Sequence, residues 1–243
     1  MSATRWLQPG TLFPTLAAGE VHVWRTAVRW SAPFTGALWQ LLAEDERIRA
    51  LAYRREEDRQ IFVSGRALLR SLLARYTGRA AEDLKFRCNQ HGKPALPASA
   101  IHFNVAHAGG WIVHAFSRNP VGIDVEVIDH RTEMGQIAEE LFSDLEREQL
   151  RNLPVTNRQA AFFQGWVRKE AYVKALGLGL AVPLDAFAVS LTGHEPARVL
   201  GPWSGDPLGP AWWLTPLDLG PDYVAAVAAP TARIWCWEWQ PQE

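Results

Sequence analysis

Two long stretches of helical apolar spacing, each closed by a glycine, constrain this chain more than any other feature. Ile61, Leu68, Leu69, Leu72, Leu73 and Tyr76 recur on one helical face and stop at Gly78. A second stretch, from about Arg158 to Leu176, stops at Gly177. Glycine past the last periodic residue takes the left-handed cap conformation without steric cost. Strand-like segments follow each stretch. After the first come His102–Ala106 and Trp111–Phe116, with Gly109-Gly110 as a hairpin signal. After the second come Phe187–Leu191, Trp212–Leu217, Tyr223–Ala229 and Ile234–Trp239. The order of helices, a glycine-stopped long helix and then strands therefore occurs twice. It predicts an α+β fold of two similar subdomains related by a pseudo-two-fold axis and meeting at a cleft. The expected division is residues 1–118 and 119–243.

Other segments fill in the pattern. Val21–Arg25 alternates as a strand, and Val121–Val127 is another, set off by Asn119-Pro120. Leu38, Leu41, Leu42, Ile48 and Leu51 predict one helix over about 36–52. Ser143-Asp144-Leu145-Glu146 has the form of a capping box opening a short helix. The opening segment, with Pro9, Gly10 and Pro14, reads as an irregular arm.

Composition excludes several function classes. The net charge of −1 requires neither nucleic acid nor an anionic membrane as partner. Cys88 and Cys236 are the two cysteines, too few for a disulfide framework and suited to a reducing cytosol. The first residues lack a basic region followed by an apolar core, and no apolar run reaches the roughly 20 residues of a membrane span. A cytoplasmic monomer is the expectation. The twelve tryptophans are scattered and read mainly as core filling.

The charged residues are more specific. In Gly122-Ile123-Asp124-Val125-Glu126, strand alternation projects Asp124 and Glu126 to one side, with Ile123 and Val125 toward a core. Adjacent carboxylates repel unless a cation lies between them, and Mg²⁺ prefers one or two carboxylates together with substrate phosphates. An ordinary solvated strand face explains the same spacing. In Phe163-Gln164-Gly165-Trp166-Val167-Arg168-Lys169-Glu170-Ala171-Tyr172-Val173-Lys174, residues Trp166, Glu170 and Lys174 share one helix face, bordered by Lys169. An exposed Glu170–Lys174 ion pair accounts for that face too, but leaves the tryptophan on it unexplained. His107 stands at a strand end beside the glycine turn, where an imidazole can meet a ligand. Gly92-Lys93-Pro94 combines an approachable backbone, a point charge and a rigid exit, and by itself is also a plain turn. There is no G-x-x-x-x-G-K-[ST] phosphate loop and no G-x-S-x-G nucleophile elbow. Gly177-Leu178-Gly179 lacks the third glycine of a dinucleotide site.

The order Gly-Lys-Pro, Phe-Asn-x-x-His, Gly-Ile-Asp-x-Glu, Phe-Ser-x-x-Glu and Trp-x-x-Lys-Glu-x-x-x-Lys resembles that of the long, single-chain 4′-phosphopantetheinyl transferases. The resemblance runs from about Arg54 to Leu191. Ala106 departs from it, since many relatives carry serine before the histidine. The resemblance implies transfer of the phosphopantetheine arm of coenzyme A to a serine of an apo acyl or peptidyl carrier protein, with release of adenosine 3′,5′-bisphosphate. It implies an active site in the cleft, with Asp124, Glu126 and Glu170 holding Mg²⁺ (or Mn²⁺) in the C-terminal subdomain. Glu170, directly or through a metal-bound water, is then the base, and Lys174 meets the pyrophosphate. Arg49, Gly92, Lys93, Pro94, His107, Asp124 and Lys169 join Lys174 around coenzyme A, with Lys93, His107 and an arginine at the 3′-phosphate. The segment from Ile128 to Leu150, with Leu141 and Phe142, falls where relatives dock the carrier. A non-catalytic binding module and a metal-dependent phosphohydrolase are the alternatives that the residues leave open.

Overall fold

The computed structural model describes residues 4–10, 13–28, 36–192, 197–201, 203–206 and 212–239. The chain is a mixed α+β fold. In order, it forms β1 (Trp6–Leu7), β2 (Val21–Ala27), α1 (Gly36–Gln40), α2 (Glu44–Leu51) and α3 (Glu56–Thr77). Next come β3 (Arg87–Cys88), β4 (Pro94–Ala95), β5 (His102–Ala108), β6 (Trp111–Ser117) and β7 (Gly122–Val127). The second half adds α4 (Met134–Leu141), α5 (Asp144–Asn152) and α6 (Val155–Leu176). It closes with β8 (Ala188–Val189), β9 (Val199–Gly201), β10 (Trp213–Leu217), β11 (Tyr223–Ala229) and β12 (Ile234–Glu238). No helix among the described residues is long and apolar enough to cross a membrane.

The repeated order in the sequence reappears in detail. Helices α3 and α6 are each 22 residues long and end at Gly78 and Gly177, both left-handed (φ 66° and 71°). Each is preceded by a shorter helix whose first turn is closed by a glutamate. Glu46 accepts the Ala43 N–H at 2.9 Å and Glu146 accepts the Ser143 N–H at 2.8 Å. Each glutamate then meets a buried cation on the long helix, Arg70 at 2.6 Å in one half and Lys169 at 2.6 Å in the other.

Two sheets carry the halves. The larger runs β1-β12-β2-β6-β5, and the smaller β10-β11-β7. Strand β12, last in sequence, pairs in parallel with both β1 and β2, so the sheet of the first half takes a strand from the end of the chain. Alternation on β7 works as the sequence implies. Ile123 and Val125 enter a core cluster with Val21, Val113 and Val227, while Asp124 and Glu126 alternate with them on the strand. Gly122 permits close approach, since a methyl group there would collide with the Ala171 carbonyl and the Ala175 amide of α6. The small-residue strand β11, with Ala225, Ala226, Ala228 and Ala229 buried, pairs antiparallel with β7 in the same sheet.

Three expectations need correction. The single helix over 36–52 is two, α1 and α2, broken after Gln40. The opening arm contains a short strand, β1. Phe187–Leu191 contributes two strand residues where five were expected. In addition, Phe142 is fully buried and stacks on Phe162 at 5.3 Å, so it belongs to the core of the second half.

Candidate active site

Helix α6 lies along β7, and their facing side chains form a compact charged group. Lys174 donates to Asp124 Oδ1 at 2.5 Å. Trp166 Nε1 donates to Glu126 Oε1 at 3.4 Å. Trp166, Glu170 and Lys174 thus use the helix face that their spacing defines. Asp124 is almost wholly buried, and its second oxygen has no hydrogen-bond partner. Burial pushes the Asp124 carboxyl up to about 7. Lys174 draws it down, and the charges of Glu126 and Glu170 push it up again. Burial likewise raises Glu170, against Lys174 and with Glu126. Glu126 thus acts on both Asp124 and Glu170, and Lys174 is the cation beside them. Among the described residues, no three His, Cys, Asp or Glu side chains stand ready-assembled as a metal cage.

Glu170 and Lys174 line a pocket of about 340 Å³ whose other wall is Gly92, Lys93, Pro94 and Asn104 from the first half. Asn104 also joins the halves directly, accepting the Ile123 N–H at 2.8 Å. At Pro94 and Asn104 this pocket adjoins a second, of about 330 Å³, lined by Arg49, Tyr53, Phe62, Arg66 and His107. The second pocket is rich in cations. Arg49 and Arg66 both lie over the Phe62 ring, at 5.1 and 5.7 Å. Arg66 reaches Glu46 at 3.4 Å. Burial lowers its pKa, with Arg49 and Arg70 acting in the same direction against Glu46. His107 is held below the usual imidazole range by burial, then by Lys174, against Asp58 and Glu126. Its response to Lys174 and Glu126 reflects the adjacency of the two pockets.

Arg49, Gly92, Pro94, His107, Glu170 and Lys174 line this pair of pockets, and Asp124 is tied to them through Lys174. The ammonium groups of two other residues are engaged by groups of the protein itself. The Lys169 ammonium is fully buried between Glu146, at 2.6 Å, and the Phe187 carbonyl, at 2.7 Å. Burial lowers its pKa, against the pull of Glu146. The Lys93 ammonium donates to three backbone carbonyls, of Val121, Lys174 and Ala175. Arg66 was missed at the sequence level. Its signal is an arginine four residues after Phe62 and four before Arg70, embedded in the run Gly65-Arg66-Ala67-Leu68-Leu69-Arg70.

Comparison with known proteins identifies the family. Residues 120–228 match the family model of the 4′-phosphopantetheinyl transferase superfamily, and residues 29–119 that of the 4′-phosphopantetheinyl transferase N-terminal part. The chain is 35% identical over 235 residues to the 4′-phosphopantetheinyl transferase HetI of Nostoc sp., covering 94% of this chain and 93% of the relative. This chain belongs to the 4′-phosphopantetheinyl transferase family. The transferase Sfp of Bacillus subtilis is 29% identical over 77% of this chain and 82% of its own length. The transferase gsp of Aneurinibacillus migulanus is 37% identical over about half of each chain. As a 4′-phosphopantetheinyl transferase this protein is an enzyme.

Proposed function

We propose that this enzyme transfers the 4′-phosphopantetheine arm of coenzyme A to a serine hydroxyl of an apo acyl or peptidyl carrier protein, with Mg²⁺ bound. The serine oxygen forms a new bond to the phosphorus bearing the pantetheine. The bond from that phosphorus to the bridging pyrophosphate oxygen breaks, and adenosine 3′,5′-bisphosphate leaves. The hydroxyl proton passes to Glu170, which lines the pocket beside Lys174. Lys174, one-third exposed at the pocket wall, places its charge against the pyrophosphate oxygens. The basic pocket of Arg49, Arg66 and His107 takes the phosphorylated nucleotide.

The observation that carries this reading is the Lys174–Asp124 contact, with Glu126 and Glu170 around it, beside a groove lined by both halves. An all-oxygen set of three mutually repelling carboxylates, one with a buried oxygen lacking a partner, fits a hard divalent cation. Asp124, Glu126 and Glu170 would hold the ion, and it would neutralise the pyrophosphate charge. Incubating the enzyme with coenzyme A, Mg²⁺ and a panel of apo fatty-acid, polyketide and peptide-synthetase carriers, read by intact mass, tests the proposal. A gain of one phosphopantetheine on the carrier serine is expected. Phosphopantetheine released into solution without a carrier would assign a hydrolase instead.

A further inference from the structure

The last carbonyls of an α-helix have no partners within the helix. Gly177 satisfies one in α6, closing its N–H on the Val173 carbonyl at 3.0 Å. Others are satisfied from the opposite half of the molecule. The Lys93 ammonium takes the Lys174 carbonyl at 2.5 Å and the Ala175 carbonyl at 3.1 Å. The Asn89 side-chain amide takes the Gly177 carbonyl at 2.6 Å. The third Lys93 N–H goes to the Val121 carbonyl at 3.1 Å, at the entry to β7. Lysine has three N–H donors and no acceptor, so its donors are filled. Asn89 Oδ1 accepts the His91 and Lys93 N–H groups, both at 2.9 Å, and so folds the loop that presents both side chains. The Lys93 stem packs on Gly177, where an added Cβ would come within 3.0 Å of Lys93 Cδ. A cation at a helix C-terminus is also favoured by the helix dipole.

We infer that the Asn89–Lys93 loop is a cap on α6 supplied across the subdomain boundary, and that Lys93 and Asn89 are positioning residues for Lys174 and Glu170. One ammonium ties the last turn of α6 to the start of β7. That tie sets the separation of Lys174 from Asp124, whose contact spans the same two elements. Lys93 therefore acts on the geometry of transfer and not as a ligand of the 3′-phosphate. The inference rests on the proposed reaction for its kinetic consequence, but the cap itself can be read without substrate.

The test uses Lys93→Met, which keeps the stem and removes the ammonium, with Asn89→Ala as a milder second variant should the first not fold. Each is assayed with coenzyme A and with 3′-dephospho-coenzyme A, and amide hydrogen exchange is followed without ligand. Expected for Lys93→Met is a fall in kcat of about ten-fold, the same for both substrates. Exchange should speed up in the last turn of α6 while the end of α3 is unchanged. Asn89→Ala should show the same pattern, smaller. A rise in KM confined to coenzyme A would overturn the inference and make Lys93 a phosphate ligand. Unchanged exchange at the end of α6 would overturn the cap. Faster exchange in an enzyme whose wild type transfers nothing would uphold the cap and remove the proposed function.

Discussion

Lys169 Nζ lies 2.6 Å from Glu146 Oε2, with both side chains wholly buried. The same glutamate accepts from the Ser143 N–H and hydroxyl and from the Val189 N–H. One carboxylate thus ties the start of α5, the middle of α6 and the end of β8. The pair is the counterpart of Glu46–Arg70 in the first half, and it explains why a lysine stands directly before Glu170 without facing the pocket.

Lys169→Met should therefore act on stability. Removing one member of a buried ion pair strands the other, at a cost of ~3–5 kcal/mol. Chemical denaturation should show that loss, and the double variant Glu146→Gln/Lys169→Met should lose less than the sum of the single changes. The KM for coenzyme A of the folded fraction should be unchanged. A ten-fold rise in that KM with wild-type stability would return Lys169 to the ligand.

The basic pocket makes a prediction of the opposite kind. Arg66→Gln and Arg49→Gln each remove a charge-assisted donor, a contribution of ~1.5–3 kcal/mol. The KM for coenzyme A should rise by roughly ten-fold or more on that scale, with a far smaller effect on 3′-dephospho-coenzyme A. Steady-state kinetics on the two substrates separate this from general damage, which would affect both alike.

A third prediction concerns acid. His114 is fully buried, bonds the Gly65 carbonyl through Nε2 at 2.9 Å, and leaves Nδ1 without a partner. Burial lowers its pKa from 6.5 to about 4. His22, also buried, is lowered to about 4 by burial against the pull of Glu20. Between pH 6.5 and 4 the unfolded chain binds protons that the folded chain refuses, so these groups make stability fall as pH drops through that window. His114→Gln, which can keep a donor to Gly65, should flatten part of the fall in the unfolding midpoint. An unchanged pH profile in the variant would assign the fall to other groups.

Much of the fold was legible because its signals are local. Gly78 and Gly177 end their helices as left-handed caps, Gly109-Gly110 turns β5 into β6, and Ser143 with Glu146 closes the capping box. Asp124 and Glu126 were legible from strand alternation, and Trp166, Glu170 and Lys174 from helix spacing. What spacing cannot carry is the choice between partners far apart in sequence. Lys93 reads as a loop cation free for a phosphate until α6 brings its carbonyls alongside. Lys169 borders the functional face in a helical projection, yet Glu146 draws it inward. The break between α1 and α2 is likewise invisible to periodicity, because Leu38, Leu41 and Leu42 keep the helical spacing across it. Strand β12 joins the first sheet through pairing with β2, a contact between the two ends of the chain.

The central claim is that Asp124, Glu126 and Glu170 hold a divalent cation on which transfer to a carrier serine depends. The most direct measurement is intact mass of an apo carrier incubated with coenzyme A and the enzyme. Wild-type enzyme, Asp124→Ala and Glu170→Ala are compared, each with Mg²⁺, with EDTA, and with EDTA followed by excess Mg²⁺ or Mn²⁺. The account predicts that wild type adds one phosphopantetheine with Mg²⁺, none with EDTA, and recovers on re-addition of metal. It predicts that neither variant modifies the carrier, and that a carrier with its serine changed to alanine gains no mass. Full modification of the carrier in EDTA, or by Glu170→Ala at the wild-type rate, would contradict it.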